Sequence, residues 1–326
     1  MKSGKARVAR LRGLPKRLRR KLKRGSAYYK SAITDGQLIK VLRNVPGSKV
    51  DPDFDPDKVK YYEPVHKCIY CGRKRPEVEL TKEHILAYAL GGDAILPEAS
   101  CLDCAKVIKE CESYCTDKVF LHVRTLNNIH SRTGPKTHLP LITNPITVSP
   151  PYRLRPVAMP VEDFPGFLAL PSFDIPGIVD ERDPDASFVD AKLHTISITG
   201  DHNERVSRLL ASGLNTFRVP IEMDLDLFAR WLAKTALGIA VAQYGVEAFH
   251  SLVGDLILKG KNPAYYVGCT TKQSDEPDNI RHWARAEVRE IRGERFVAVF
   301  MRPFAFLGTP TYSVIVGKLK PESKAR

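Results

Sequence analysis

Two Cys-x-x-Cys pairs, Cys68/Cys71 and Cys101/Cys104, restrict what this chain can fold into more than any other feature. Two intervening residues let both thiolates of a knuckle point at one ion, and two knuckles complete the closed tetrahedral sulfur shell that structural zinc prefers. The metal expected here is therefore scaffolding. Between the knuckles lie Leu80-Thr81-Lys82-Glu83-His84-Ile85 and then Leu90-Gly91-Gly92, an acid beside a histidine on a segment that ends in two turn-forming glycines. Such a pair can bind a second ion and move a proton. A plain zinc ribbon with Glu83 and His84 on its surface would carry the same knuckles.

Cys68-Ile69-Tyr70-Cys71, Glu83-His84-Ile85, Leu90-Gly91-Gly92 and Ser100-Cys101-Leu102-Asp103-Cys104-Ala105 resemble, in order and spacing, the zinc-binding four-cysteine form of the HNH endonuclease family. The resemblance covers about residues 66–115, a minority of the chain, and implies a ββα-metal core. The chain departs from the family at two points. Ala105 stands where members commonly place Asn or His, and the stretch Asp93 to Ser100 contains no asparagine. A subgroup with Ser-Cys-x-x-Cys-Ala and an acid farther along the helix is the closer match, and Glu112 fits that acid.

The activity this resemblance implies is metal-dependent hydrolysis of phosphodiester bonds in DNA, with His84 as general base and Glu83 holding one divalent ion, Mg²⁺ or Mn²⁺. Histidine suits the first role because its unperturbed pKa, about 6.5, leaves much of it neutral near pH 7. A carboxylate suits the second because hard cations take oxygen ligands. One carboxylate rarely holds such an ion alone, so Asp93, Glu98, Glu110, Glu112 or substrate phosphate must supply the rest. The residues do not choose among them.

The remaining histidines and cysteines have plainer readings. His66 reads as a strand residue flanking the first knuckle. Cys111 and Cys115 lie one helical turn apart, as two buried thiols on one face, and Cys269 reads as a small core residue. Seven cysteines, mostly at metal spacing, do not make the even framework of a secreted disulfide domain. A reducing, cytoplasmic setting is expected. No apolar run reads as a membrane span; the longest, residues 225–242, contains Arg230 and Lys234 and reads as a buried helix.

The net charge of +14 is unevenly placed. Residues 1–24 hold twelve Lys or Arg and no acid, which leaves 39 basic against 37 acidic side chains in the rest. Lys16, Arg17, Arg19, Arg20, Lys21, Lys23 and Arg24 form the densest block, suited to salt-sensitive, sequence-blind attraction to nucleic-acid phosphates. Val8, Leu11, Leu14, Leu18 and Leu22 recur at helical spacing among them, a pattern shared with anionic-membrane helices and targeting peptides.

The expected fold class is α+β: a small zinc-stabilised ββα-metal module and a larger C-terminal α+β domain with an antiparallel sheet. The expected organisation is a basic tail (1–25), a short helix and linker (26–60), the zinc module (61–120), a proline-rich connector (121–185) and the C-terminal domain (186–320). Ten prolines across residues 135–176 argue against helices and inner strands there. Beyond them, 194–199 alternates as a strand, Asp224 or Asp226 caps a helix that Gly245 stops, and a second short helix is expected over 246–258. Runs at 284–289, 296–300 and 312–316 read as strands, with a turn at Gly293. Lys234 reads as a snorkelling lysine, and His202 and His250 as helix caps. Two functions from different classes follow: a metal-dependent endonuclease, or a zinc-stabilised nucleic-acid-binding module that has lost catalysis.

Overall fold

The computed structural model describes residues 28–30, 59–129, 137–144, 155–188, 191–211, 216–218, 222–270 and 278–321. The basic tail, with Lys16 to Arg24, and the helix expected at 31–45 lie outside the described residues.

The knuckles frame a three-stranded sheet. β1 is Tyr28–Lys30; β2 (Lys60–Tyr61), β3 (Leu80–His84) and β4 (Ala94–Cys101) follow, in the order β2-β4-β3. β3 and β4 are antiparallel, with Glu83 opposite Leu96 and His84 opposite Ile95, and the register shifts between Thr81 and Glu83. Gly91 (φ +81°) turns the chain between them, and Gly92 lies so close to Leu86 that an added Cβ would sit 2.1 Å from its carbonyl oxygen. β4 passes directly into helix α1 (Leu102–Tyr114), which widens into a π-type turn over Cys115–Val119 and leads to α2 (Leu121–Leu126). His66, expected in a strand, instead sits in a left-handed bend (φ +56°) before the knuckle. There its Nδ1 meets Glu98 Oε2 at 2.6 Å.

The proline-rich stretch is not only a connector. It contains β5 (His138–Asn144), β6 (Arg155–Pro160) and β7 (Phe167–Ser172); helix α3 (Gly177–Asp180), β8 (Lys192–Ser197), α4 (His202–Ala211) and β9 (Thr216–Arg218) follow. The sheets are β6-β5-β9 and the pair β7-β8. Proline is tolerated because nearly every position is an edge. Pro140 pairs with Ala158 on its β6 side, whereas β9 reaches only Ile142 to Asn144 on the other.

Strand β10 (Glu222–Asp224) pairs with β1 and leads into helix α5 (Leu225–Tyr244). The Asp224 side chain accepts the Leu227 N–H at 3.1 Å, and Gly245 at φ +80° ends the helix, as expected from sequence. Every residue from Leu227 to Gly238 is buried, the pattern of a helix covered on all sides. One side meets α1, the other a five-stranded antiparallel sheet ordered β11-β15-β14-β13, with β12 also on β15. These strands are β11 (Phe249–Ser251), β12 (Val267–Thr270), β13 (His282–Ile291), β14 (Glu294–Pro303) and β15 (Thr311–Leu319); α6 (Gly254–Lys259) and α7 (Pro263–Tyr266) lie between β11 and β12. The expected helix at 246–258 thus divides into a strand and a shorter helix. Gly317 makes this possible, since a Cβ there would lie 2.5 Å from the Phe249 ring.

Val297, Val299 and Met301 join the main core with Trp231 and Phe228, while Phe296, Ala298 and Phe300 form a second core on the opposite face. The main core is continuous from Cys68, Leu80 and Ile85 through α5 to Tyr312. Cys111, Cys115 and Cys269 are all buried in it, as expected. No described helix is long and apolar enough to cross a membrane.

Candidate metal centre and acid–histidine strand

The four knuckle sulfurs lie within 4.8 Å of one another, so the cluster could hold a metal ion such as zinc. A tetrahedron with metal–sulfur bonds of about 2.3 Å has edges of about 3.8 Å. The Cys71–Cys101 edge measures 3.8 Å. The first knuckle is a turn closed by Gly72 N–H to Cys68 O and Cys68 N–H to Arg73 O, both 2.9 Å, and anchored on β4 by Ile69 N–H to Ala99 O. The second follows from β4 running into α1: Cys101 is the N-cap and Cys104 sits in the first turn. Arg73 donates to Cys71 Sγ (3.3 Å), to Cys101 Sγ (3.5 Å) and to Asp103 (3.0 Å). Burial opposes ionisation of Cys71, but the Arg73 donors outweigh it and bring the thiol down to about 7. Burial, then the charge on Cys68, pushes Cys104 up. Burial raises Cys68 as well, so Cys68 and Cys104 resist ionising without a cation, which is the electrostatic demand a bound divalent metal meets.

Glu83 and His84 are adjacent on β3, so their side chains leave opposite faces of the strand. Glu83 is buried and turned inward; His84 is half-buried. Lys234 decides the inner arrangement. Its ammonium, 1% exposed, lies 2.7 Å from Glu83 Oε1 and 2.7 Å from Glu112 Oε1, and also donates to the backbone carbonyl of His84. The snorkelling expected of Lys234 does not occur, because α5 is buried all round at this level and the ammonium is met inside by the two carboxylates. Burial alone would lower its pKa; Glu83 and then Glu112 outweigh that and raise it. Gly238, one turn along the same face of α5, allows the close approach: a Cβ there would stand 3.3 Å from Ile85. Arg230, one turn earlier, pairs with Glu110 at 3.3 Å. The buried Tyr70 hydroxyl faces the same acids without a fully formed hydrogen bond, and burial, then the Glu83 charge, raises its pKa well above the usual phenol range.

Of the acids open as partners for Glu83, the fold therefore brings Glu112 to it, each within reach of one ammonium. Glu98 is engaged by His66 and Arg75, Glu110 by Arg230, and Asp93 is exposed at the start of β4. The contribution sequence reasoning missed is Lys234, whose one signal was that it shares with Arg230 a largely apolar helical run. His202 opens α4 but is buried with neither ring nitrogen bonded among the described residues, and His250 is exposed on β11; neither acts as a helix cap.

His282 ties the glycine turn to the C-terminal sheet. Its Nε2–H donates to Leu90 O at 2.7 Å and its Nδ1 accepts the Phe304 N–H at 3.2 Å, which together specify the neutral ring. Burial pushes its pKa down to about 4. Comparison with protein-family models, with curated proteins and with solved structures found no match.

Proposed function

We propose that this chain is a metal-dependent endonuclease of the HNH type that hydrolyses DNA phosphodiester bonds with His84 as general base. The observation that supports the reading is the order β3-β4-α1, in which Glu83 and His84 lie on the strand that pairs with β4 between the two knuckles and a second carboxylate, Glu112 of α1, reaches the same Lys234 ammonium as Glu83. In this reading zinc on Cys68, Cys71, Cys101 and Cys104 is structural. Glu83 and Glu112 offer the hard oxygen donors that Mg²⁺ or Mn²⁺ takes, and their two charges exceed the single charge of Lys234. Such an ion, when bound, supplies positive charge for a phosphate on which negative charge builds up. In this reading His84 is the base that accepts the proton of the attacking water. Lys234 holds the His84 carbonyl and the Glu83 carboxylate, and so fixes the strand that carries the base. The basic residues from Lys16 to Arg24 would concentrate nucleic acid, and a cytoplasmic setting suits the free thiols.

A second reading, a zinc-stabilised nucleic-acid-binding module without catalysis, draws on Lys234 itself: an ammonium already lies between the acids, and Ala105 offers no ligand. Plasmid DNA incubated with purified protein and Mg²⁺ or Mn²⁺ separates the two. The nuclease reading expects nicking that His84→Ala abolishes while zinc content and DNA affinity persist. Binding without nicking, or equal nicking by both proteins, removes it.

A further inference from the structure

Four protein oxygens surround the Lys234 ammonium. Glu83 Oε1 and Glu112 Oε1 lie at 2.7 Å each and the Ile85 carbonyl oxygen at 3.3 Å, and the His84 carbonyl accepts as well. An ammonium has three protons to donate, so the shell holds one acceptor more than its occupant can fill with separate bonds. Its two carboxylates also carry one negative charge more than Lys234 neutralises. A fifth oxygen belongs to the same cluster. The Tyr70 hydroxyl is buried without a hydrogen-bond partner among the described residues, on a side chain 7% exposed, and Glu83 and Glu112 are the charges that act on it most strongly. Buried polar atoms are almost always paired, so a hydroxyl left over beside two acids is spare bonding capacity around the ammonium. Carboxylates and backbone carbonyls are the oxygens that hard divalent cations take, in larger number than an ammonium can use.

We propose that this oxygen cage is a cation site in which Lys234 is the resident, tethered cation, so that the ammonium and a free divalent ion exclude each other. The nuclease reading places its ion on the same two acids, and the exclusion rests on that reading only for the choice of ion. Lys234 thereby sets the metal concentration the site requires. Two ion pairs and burial hold Nζ in the cage. An ammonium that vacates the cage less than about one tenth of the time weakens the apparent affinity for the ion at least about tenfold.

Mn²⁺ alone, titrated into zinc-loaded full-length protein and followed by loss of the free-ion EPR signal, reads occupancy without any turnover. Manganese binds most weakly of the first-row divalent series and leaves zinc on its thiolates. Lys234→Ala, which removes the ammonium and opens its space, should bind Mn²⁺ at least about tenfold more tightly than the wild type, and Lys234→Ala/Glu112→Gln should lose that gain. Equal affinity in wild type and Lys234→Ala overturns the exclusion, as does a gain that survives Glu112→Gln. The wild type, expected to bind only in the millimolar range or more weakly, decides the matter even where Lys234→Ala does not fold: micromolar binding that Glu112→Gln removes means that the ion enters beside the ammonium, and overturns the exclusion. A tenfold gain with no plasmid nicking by either protein would remove the nuclease reading and leave the exclusion standing.

Discussion

Replacing Lys234 by methionine isolates the interaction that joins the cysteine-framed sheet to the long C-terminal helix. Methionine has nearly the same length and fills the same volume, so packing of α5 is retained while the charge is lost. What remains is Glu83, 9% exposed, with its carboxylate facing Glu112 and no cation between them. Removing one partner of a buried ion pair typically costs about 3–5 kcal/mol, because the other charge is left uncompensated. Glu112, at 27% exposure, regains part of its hydration, which places the expectation near the lower end, about 3 kcal/mol. Urea unfolding of the zinc-loaded protein measures this directly. The double variant Lys234→Met/Glu83→Gln should recover about 1–2 kcal/mol, since the orphaned inward charge is gone. A loss under about 1 kcal/mol in the single variant, or a double variant less stable than the single, would refute the account of Lys234 as the neutraliser of both acids.

Other outcomes follow from the same geometry. Elemental analysis should find one zinc per chain, and Cys104→Ser should lower both metal content and melting temperature, because the four thiols converge on one point; full zinc retention would count against the cluster. His282 should make the fold acid-sensitive. Below about 6.5 the unfolded chain binds a proton that folded His282 refuses until about 4, so its contribution is complete above 6.5 and declines as pH falls towards 4. The loss is at most ~3 kcal/mol, and His282→Gln should flatten that part of the stability–pH curve; an unaltered slope would contradict it. Asp224→Ala should destabilise by about 1 kcal/mol through loss of the α5 cap, measurable by thermal unfolding.

Short-range chemistry made much of this chain readable. The knuckles, the glycine turn, the helix from Cys101, the Asp224 cap, the Gly245 stop and the C-terminal strands each depend on residues close in sequence, and each appears where local rules put it. The proline stretch reads locally as a connector; the exclusion of inner strands leaves edge strands open, and edge strands are mostly what forms there. Lys234 was misread for a related reason. Snorkelling assumes one wet side to the helix, and whether α5 has one depends on α1 and the sheet packing against it from opposite directions.

The amino-acid order alone determined that four thiols could meet at one ion and that an acid–histidine step would lie within their frame, because Cys-x-x-Cys spacing and a strand–turn–strand pattern act over a few residues. Only the tertiary structure decided which acid joins Glu83 and that Lys234, from the long C-terminal helix, neutralises the pair. Those outcomes bring together residues more than a hundred positions apart. Their energies arise from desolvation and from one shared core, quantities that no local window of sequence contains.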